Sequence, residues 1–196
     1  MIRFACLLSL GFAALLAPAD AKALDPEGRI RPEILERAID AMDARGHRGK
    51  ESGRLVVVDY SLPSSEPRLF VVDLASGADD AFRAAHGKGS DLDHDGYLDS
   101  FSDAPGSGAS PEGLYRTAEE YYGGHGRSLR LDGLDDTNAN ARSRAIVIHS
   151  AVYAEPEHLK KYGKLGRSNG CIVFSADDLA AFLDEVPKGT LIFVGK

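Results

Sequence analysis

The chain has few cysteines, no surplus of basic residues and no apolar segment long enough to form a membrane anchor. Cys6 and Cys171 are its only cysteines in 196 residues. The formal net charge is −7 and the pI is about 5.3, so no basic excess is available to displace the counterions of a nucleic acid. The N-terminal apolar run covers residues 4–16, whereas a helix that spans a bilayer needs about 20 residues. These shortages argue against a nucleic-acid-binding protein and against a membrane anchor.

The N-terminus has the pattern of a secretory signal peptide. Arg3 supplies a positive charge, the apolar run follows, and small residues suited to cleavage lie at 19–21 and 21–23. We therefore predict a signal peptide over 1–23, with a membrane anchor as the alternative. Its removal leaves Cys171 as the only cysteine in an oxidising compartment, which excludes a disulfide within the mature chain. The thiol is then buried and inert, part of an intermolecular bridge, or reactive.

The remaining chain has the length of one well-packed domain and a mainly β pattern. Apolar residues on one face predict a helix over 32–45, which with the polar residues after it makes an N-terminal helix and linker, 24–53. A second helix is predicted at about 176–185. Short apolar or β-branched runs predict strands near 55–61, 68–74, 113–117, 128–134, 145–150, 171–174 and 190–195. We expect a mainly β domain with flanking helices, built from mixed sheets around one core.

The segment 86–113 is rich in Gly, Asp, Ser and Pro and has no hydrophobic period. A loop of this length is usually functional or disordered. Asp91, Asp93 and Asp95, with a glycine at the sixth position, fit the opening of a calcium loop. The twelfth position is Ser102, so the bidentate glutamate is missing. We predict no metal site and no cofactor, and interpret the segment as an acidic turn.

His149 and Cys171 have the residue types and placement of a nucleophile and its base. His149 ends one predicted strand and Cys171 begins another. A free cysteine is only a few per cent thiolate at neutral pH, so a neighbouring imidazole that takes the proton makes it a nucleophile. The turn 168–171 can aim backbone N–H groups at one point, which is the requirement of an oxyanion hole. The structural alternative is a tight turn before a strand with a small buried cysteine.

These motifs resemble the murein L,D-transpeptidase catalytic-domain family of exported bacterial proteins. IVIHS at 146–150 and GRSNGC at 166–171 are similar to its catalytic signature. VVDYS, RLFVVDL, AHGKGSD and SPEGLYRT are further similar segments. The resemblance covers roughly residues 55–196, and we predict a catalytic domain over 54–196.

The resemblance implies an L,D-transpeptidase-like mixed β-sandwich and assigns roles to the motif residues. Cys171 is then the nucleophile and His149 the general base, oriented by the backbone carbonyl of Ser150. The amides of Asn169, Gly170 and Cys171 form the oxyanion hole. Asn169 departs from the wider superfamily, in which many members have histidine at this position. Because the base is the earlier histidine, this departure leaves the chemistry intact and bears on substrate preference.

Four further residues are candidates for contact with a substrate. Arg167 could hold a stem-peptide carboxylate through a bidentate contact, or could be a surface arginine without that role; Ser168 follows it in the proposed turn. Tyr115 could line the substrate groove, although aromatic residues in strands are more often part of the core. His86 could face the same cleft, or could simply be solvated or hydrogen-bonded.

The function that these residues and the resemblance predict is cysteine acyl transfer on peptidoglycan stem peptides, by L,D-transpeptidation or L,D-carboxypeptidation through a thioester. We expect a monomer that is periplasmic or secreted, with no transmembrane anchor after signal cleavage and no nucleic-acid partner. Two alternatives remain open. One is a catalytically silent module that binds the cell wall or a cation, and the other is a thiol peptidase or amidase with a different peptide substrate.

Overall fold

The computed structural model describes residues 21–46 and 50–196. The predicted signal peptide, 1–23, lies outside these residues except for its end, which belongs to the short helix α1 (Ala21–Leu24). No helix within the described ranges has the length and apolar character needed to cross a membrane.

One mixed sheet dominates the domain, with the strand order β3-β2-β1-β8-β4-β5-β6-β7. The strands are β1 (Arg54–Asp59), β2 (Leu69–Asp73), β3 (Asp79–Phe82), β4 (Gly113–Gly123), β5 (Gly126–Gly133), β6 (Val147–Ser150), β7 (Ile172–Phe174) and β8 (Leu191–Gly195). The pairs β1–β8 and β6–β7 are parallel, and the other neighbours are antiparallel. The predicted mainly β, mixed architecture is confirmed.

The sheet curves until its two ends meet. Just beyond β3, Ala85 forms an antiparallel bridge with Val173 of β7, through N···O distances of 2.8 and 3.2 Å. The same two ends are joined by side chains, since Phe82 of β3 packs edge-on against Phe174 of β7. The principal core lies inside this curve and draws apolar residues from both halves of the sheet. The fold therefore resembles a sandwich although its hydrogen-bonded ladder is continuous.

Helices cover both sides of this sheet. The helix α2 (Pro32–Asp43) begins with proline in its first turn, and its apolar face packs on the outer side of β1, β2 and β8 in a second core. The predicted N-terminal helix is thus packed on the sheet of the main domain. On the inner side, α4 (Ala176–Glu185) is capped by Ser175, whose hydroxyl accepts from the Asp178 amide at 3.2 Å. Phe182 of α4 lies within the principal core.

The structure adds two elements that the sequence pattern did not predict. β3 reads DDAF and has no apolar alternation; it forms because backbone groups of β2 are available for pairing. The helix α3 (Pro156–Tyr162) buries no residue, so it leaves no hydrophobic period in the sequence. The described residues accordingly contain eight strands, one more than the seven that the sequence pattern predicts. The long loop predicted over 86–113 is, in contrast, confirmed: residues 83–112, between β3 and β4, contain one 3₁₀ turn, Lys88–Ser90, and isolated bridges at Ala85 and Gly87, but no strand or α-helix.

Removing Phe182 should test whether the principal core holds the curved sheet closed. Its ring is fully buried and lies 5.0 Å from that of Phe174 and 6.2 Å from that of Phe82, centroid to centroid. We expect Phe182→Ala to lower the free energy of unfolding by about 3–5 kcal/mol. Urea unfolding followed by circular dichroism measures this. The exposed Tyr122 is the control, because Tyr122→Ala should change stability by less than about 0.5 kcal/mol. Equal losses for the two variants would contradict the prediction.

Candidate active site

The parallel pair β6–β7 places His149 and Cys171 on the same face of the sheet. His149 is opposite Val173 in this ladder, and Cys171 precedes Val173 by two residues. Since side chains two residues apart in a strand point to the same side, the thiol and the imidazole lie diagonally across two adjacent strands. Cys171 and Val173 both pack in a small third cluster, on the opposite face from the principal core.

The imidazole of His149 is held in one tautomer. Its Nδ1 lies 2.9 Å from the backbone carbonyl oxygen of Ser150. Because a carbonyl oxygen only accepts, Nδ1 must carry the hydrogen in the neutral ring, and the lone pair is on Nε2. The ring is 3% exposed. Burial lowers the pKa of His149 below its ordinary value, with the Ser150 hydrogen bond opposing this shift and the His125 charge adding to it.

His125 covers this imidazole. It lies in the two-residue turn of the β4–β5 hairpin, next to Gly124, and its ring stacks on that of His149 at 4.1 Å between centroids and 22° between planes. Although His125 itself is exposed, its ring lies over a face of the imidazole of the buried His149.

The thiol of Cys171 is half-buried and donates to the backbone carbonyl of Ala145, with 3.6 Å between sulfur and oxygen. Ala145 has a left-handed backbone, with φ of 53°, which costs a residue with a side chain about 1–2 kcal/mol. This conformation aims its carbonyl at the sulfur. Burial raises the pKa of the Cys171 thiol, while a backbone hydrogen bond from Val147 and the charge of Arg144 act in the opposite direction.

The turn before the cysteine is closed by one hydroxyl. Ser168 Oγ donates to the carbonyl of Cys171 at 2.8 Å and accepts from the Gly170 amide at 3.0 Å. Gly170 has a φ of 118°, and an added Cβ would lie 2.6 Å from the Ala109 carbonyl oxygen, so only glycine fits here. These contacts bear on the roles predicted for Ser168 and Gly170, which stay predictions. Ser168 shapes the turn with its hydroxyl, and the Gly170 amide is engaged within the turn rather than free to bind an oxyanion.

Arg144 connects this turn to the long loop. Its side chain is 6% exposed, and Nη2 donates to the Ala109 carbonyl at 2.7 Å while Nη1 donates to the Ser102 carbonyl at 2.8 Å. It also pairs with Asp103 at 3.3 Å. Arg144 and Asn169 line a cleft of about 590 Å³ beside the turn; Lys88, Pro105, Gly106, Gly108 and Ser143 complete its wall.

His86 belongs to a buried network under the turn. Its Nδ1 lies 2.7 Å from Nη2 of Arg68, and its Nε2 lies 3.1 Å from Oδ2 of Asp91. Because arginine only donates, Nδ1 of His86 accepts and Nε2–H donates to the carboxylate. Burial lowers the pKa of His86 to about 4, with the Arg68 charge as the next cause. His86 is therefore neutral and 1% exposed, without a surface to offer a substrate.

The other two predicted substrate contacts lie in different environments. Tyr115 is 1% exposed within the principal core, and its hydroxyl donates to the Pro111 carbonyl at 2.8 Å. Tyr115 is therefore a core residue, the second of its two interpretations from the sequence, and does not line a groove. Arg167 is half-buried beside the turn, where Nη1 donates to the backbone carbonyl of Asp91. One of its donors is thus used to hold the loop.

Three carboxylates of the acidic turn approach one another. Oxygens of Asp91, Asp93 and Asp99 lie within 4.8 Å, so the third member is Asp99 and not the predicted Asp95. The buried Asp91 already accepts from His86 and from the Asp95 and Gly96 amides. The Asp95 carboxylate accepts from the Tyr97 amide. These contacts account for an acidic turn closed by its own backbone.

Two residues of the site were missed by sequence reasoning. Arg144 precedes β6 in an ordinary polar stretch, and no local pattern indicates that it turns toward Cys171. His125 lies 24 residues before His149, in a Gly-Gly-His-Gly sequence that indicates a hairpin turn but not its target. Both are brought to the site by tertiary structure alone.

Neutralising Arg144 should make the thiol less acidic. A cation close to a thiol favours the thiolate, so Arg144→Gln should raise the pKa of Cys171. The rate of iodoacetamide labelling against pH measures this, and the curve should move to higher pH. Arg144→Lys keeps a charge and should move it less. Arg116→Gln, on the exposed side of β4, is the control. An unmoved curve in folded Arg144→Gln would refute the electrostatic role.

Solved structures of several L,D-transpeptidases are similar to this chain at low identity. One from Mycobacterium smegmatis is 19% identical, with a TM-score of 0.45, over 74% of this chain and 59% of that chain. One from Mycobacterium tuberculosis is 19% identical, with a TM-score of 0.42, over 74% and 58%. One from Xylanimonas cellulosilytica is 15% identical, with a TM-score of 0.45, over 82% and 69%. The chain thus spans less than two thirds of the length of the two mycobacterial structures.

No curated protein sequence matches the chain significantly. The model of the L,D-transpeptidase catalytic domain, however, matches residues 26–194. The match begins before α2 and ends within β8, so it includes the N-terminal helix, the curved sheet and the turn that carries Cys171. It covers most of the described structure, and the chain belongs to the L,D-transpeptidase catalytic domain family.

Proposed function

We propose that this protein is an exported cysteine acyltransferase that acts on peptidoglycan stem peptides. The observation that carries the proposal is the placement of Cys171 and a tautomer-fixed His149 on one face of adjacent parallel strands, in a chain of the L,D-transpeptidase family. Export is supported by the signal-peptide pattern of residues 1–23. The substrate class comes from the family.

The first half of the reaction forms a thioester. Cys171 Sγ attacks the carbonyl carbon of the residue before the terminal D-alanine, and Nε2 of His149 takes the thiol proton. The C–N bond to D-alanine then breaks, and the leaving amine receives that proton. The lone pair on Nε2 suits this role because the Ser150 carbonyl engages Nδ1–H.

The directions of the two pKa shifts favour a neutral Cys171 thiol and a neutral His149 imidazole before substrate binds. Burial raises the pKa of the Cys171 thiol and lowers that of the His149 imidazole. Each shift disfavours the charged form, so a standing thiolate–imidazolium pair is not the expected ground state. His149 therefore acts as a general base during attack, and its Nε2 takes the thiol proton as the sulfur bonds to the carbonyl carbon.

The tetrahedral oxyanion needs donors close to the sulfur. Because the Gly170 amide already donates to Ser168, we assign this role to the amides of Asn169 and Cys171. Arg144, which lies beside the turn, adds positive charge to the same region. Preorganised donors of this kind are often a large part of the catalytic effect.

The second half releases the acyl group. An amine of a second stem peptide attacks the thioester, gives up a proton through His149 and regenerates the thiol, which produces a cross-link. Water in place of the amine produces a trimmed peptide, which is L,D-carboxypeptidation. Incubation of purified protein with muropeptides, followed by mass spectrometry, separates the two outcomes. No product of either kind, from protein whose thiol is reactive, would favour a thiol amidase or peptidase with another substrate.

Loss of the sulfur should abolish turnover and leave the fold intact. Cys171→Ala removes the atom that forms the covalent intermediate, so no acyl-enzyme should appear by intact-protein mass spectrometry and no muropeptide should be converted. Circular dichroism should be unchanged, because the half-buried Cys171 fills little of the core. Retained turnover in the folded variant would contradict the proposal.

The native thiol also separates the enzyme from a catalytically silent module. An active nucleophile should be labelled stoichiometrically by iodoacetamide in the folded protein, with a rate that depends on pH. A structural cysteine would stay protected until the protein unfolds, and that result would favour the module.

Loss of the base should slow turnover without removing the nucleophile. His149→Ala should lower the rate by a factor of about 10² or more, and labelling of Cys171 should require higher pH because no base then takes the thiol proton during attack on the reagent. His158→Ala, on the outer helix α3, is the control and should behave like the wild type. An unchanged pH profile for His149→Ala would mean that His149 is not the partner of Cys171.

A further inference from the structure

His149 is held at only one edge by the hydrogen bond to Ser150. The contact between Nδ1 and the carbonyl oxygen, 2.9 Å long, sets the tautomer but leaves the ring able to tilt about that bond. A catalytic base must present its lone pair in a narrow range of directions. A second contact across the ring face is therefore needed to define the plane of the imidazole.

The ring of His125 provides a contact of that kind. It is stacked on the His149 ring at 4.1 Å, with the two planes 22° apart. His125 is presented by the hairpin of β4 and β5, whose closing pair is Gly123 and Gly126. β5 also pairs with β6 at Leu129 and Ile148, so the strand that carries the base anchors the hairpin that covers it.

We propose that His125 is a positioning residue for the base. Its ring holds His149 in the plane that directs Nε2 toward the thiol and shelters the imidazole from water. This inference rests on the proposed function of His149. When His149 takes the thiol proton, the neutral ring of His125 faces a cation and stabilises it, whereas a protonated His125 opposes that charge.

Few other charges act on the stacked pair. The titratable groups on the same face of the sheet include Cys171 just before β7, His125 on the hairpin and Tyr153, which packs in the third cluster with Cys171; of these, the charge of His125 acts on the pKa of His149. On β5, Arg127 is paired with Glu120 at 2.7 Å and Arg130 with Glu119 at 3.2 Å. A substitution at His125 should therefore change the environment of the His149 imidazole without a large rearrangement of ion pairs.

Two variants of His125 separate stacking from charge. His125→Ala removes both. We expect kcat to fall about tenfold and the acid limb of the pH profile to move to higher pH, because the base becomes more exposed and loses a like charge. His125→Phe keeps a flat ring over the base, so kcat should stay within about twofold of the wild type. The acid limb of its pH profile should move to higher pH by less than in His125→Ala. Tyr122→Ala, on the same hairpin and 82% exposed, is the matched control.

NMR titration of the His149 ring makes the test independent of turnover. In the wild-type protein and in both His125 variants, the imidazole signals of His149 report its pKa whether or not muropeptides are converted. A His149 pKa that rises from the wild type to His125→Phe and again to His125→Ala supports the stacking role, even if the proposed reaction is wrong. Wild-type kcat and titration in His125→Ala would overturn the inference. Equal loss of kcat in the Ala and Phe variants, with an unchanged His149 titration, would overturn it as well.

Discussion

The parallel ladder between β6 and β7 is the constraint on which the site depends. Its register sets His149 opposite Val173, and the strand period then places Cys171 on the same face as His149. A shift of one residue in this ladder would turn one of the two side chains into the principal core. Ile148, Ile172 and Phe174 prevent that shift, because they fill the opposite face with apolar volume.

A buried guanidinium and its hydrogen-bond partners support the turn that carries Cys171. Arg68 is fully buried, and burial lowers its pKa to about 10. A buried guanidinium is tolerated only when its donors are satisfied. Here it donates to the carbonyls of Ala84 and Leu62 and to Nδ1 of His86, and it lies over the ring of Tyr60 at 4.7 Å.

This network limits how far the surrounding loop can move. His86 connects Arg68 to Asp91, and the backbone carbonyl of His86 accepts from the Ser168 amide at 2.8 Å. The long loop is therefore attached to the turn that carries Cys171 through main-chain bonds whose positions depend on a buried cation. Arg144 attaches the same loop from the other side, through Ser102 and Ala109.

Local patterns predicted the elements whose side chains alternate or repeat strongly. The helix at 176–185 was predicted with the bounds that the structure has, because its apolar face and its serine cap agree. β1 and β2 were both predicted as strands, and they pair with each other. The acidic β3 was not predicted, since its pairing depends on a neighbour and not on its own residues.

The features of the site likewise divide into those that the sequence indicates and those that only the tertiary structure shows. The types and order of the motif residues around His149 and Cys171 are visible in the sequence. The stack of His125, the charge of Arg144 and the engaged Gly170 amide are not, because each depends on a contact between segments far apart or on the closure of one turn. Tyr115 shows the reverse case, in which a plausible surface residue is used to fill the core.

The closure of the sheet also removes one way in which a peptide could bind. β7 is the last strand of the ladder, yet Ala85 occupies its outer side through both main-chain groups of Val173. An extended peptide cannot dock there as an additional strand, which is a common way for proteins to bind peptides with little regard to sequence. A peptide substrate of the proposed reaction would then be recognised by side chains and loop amides, which respond to the stereochemistry and charge of each residue they contact.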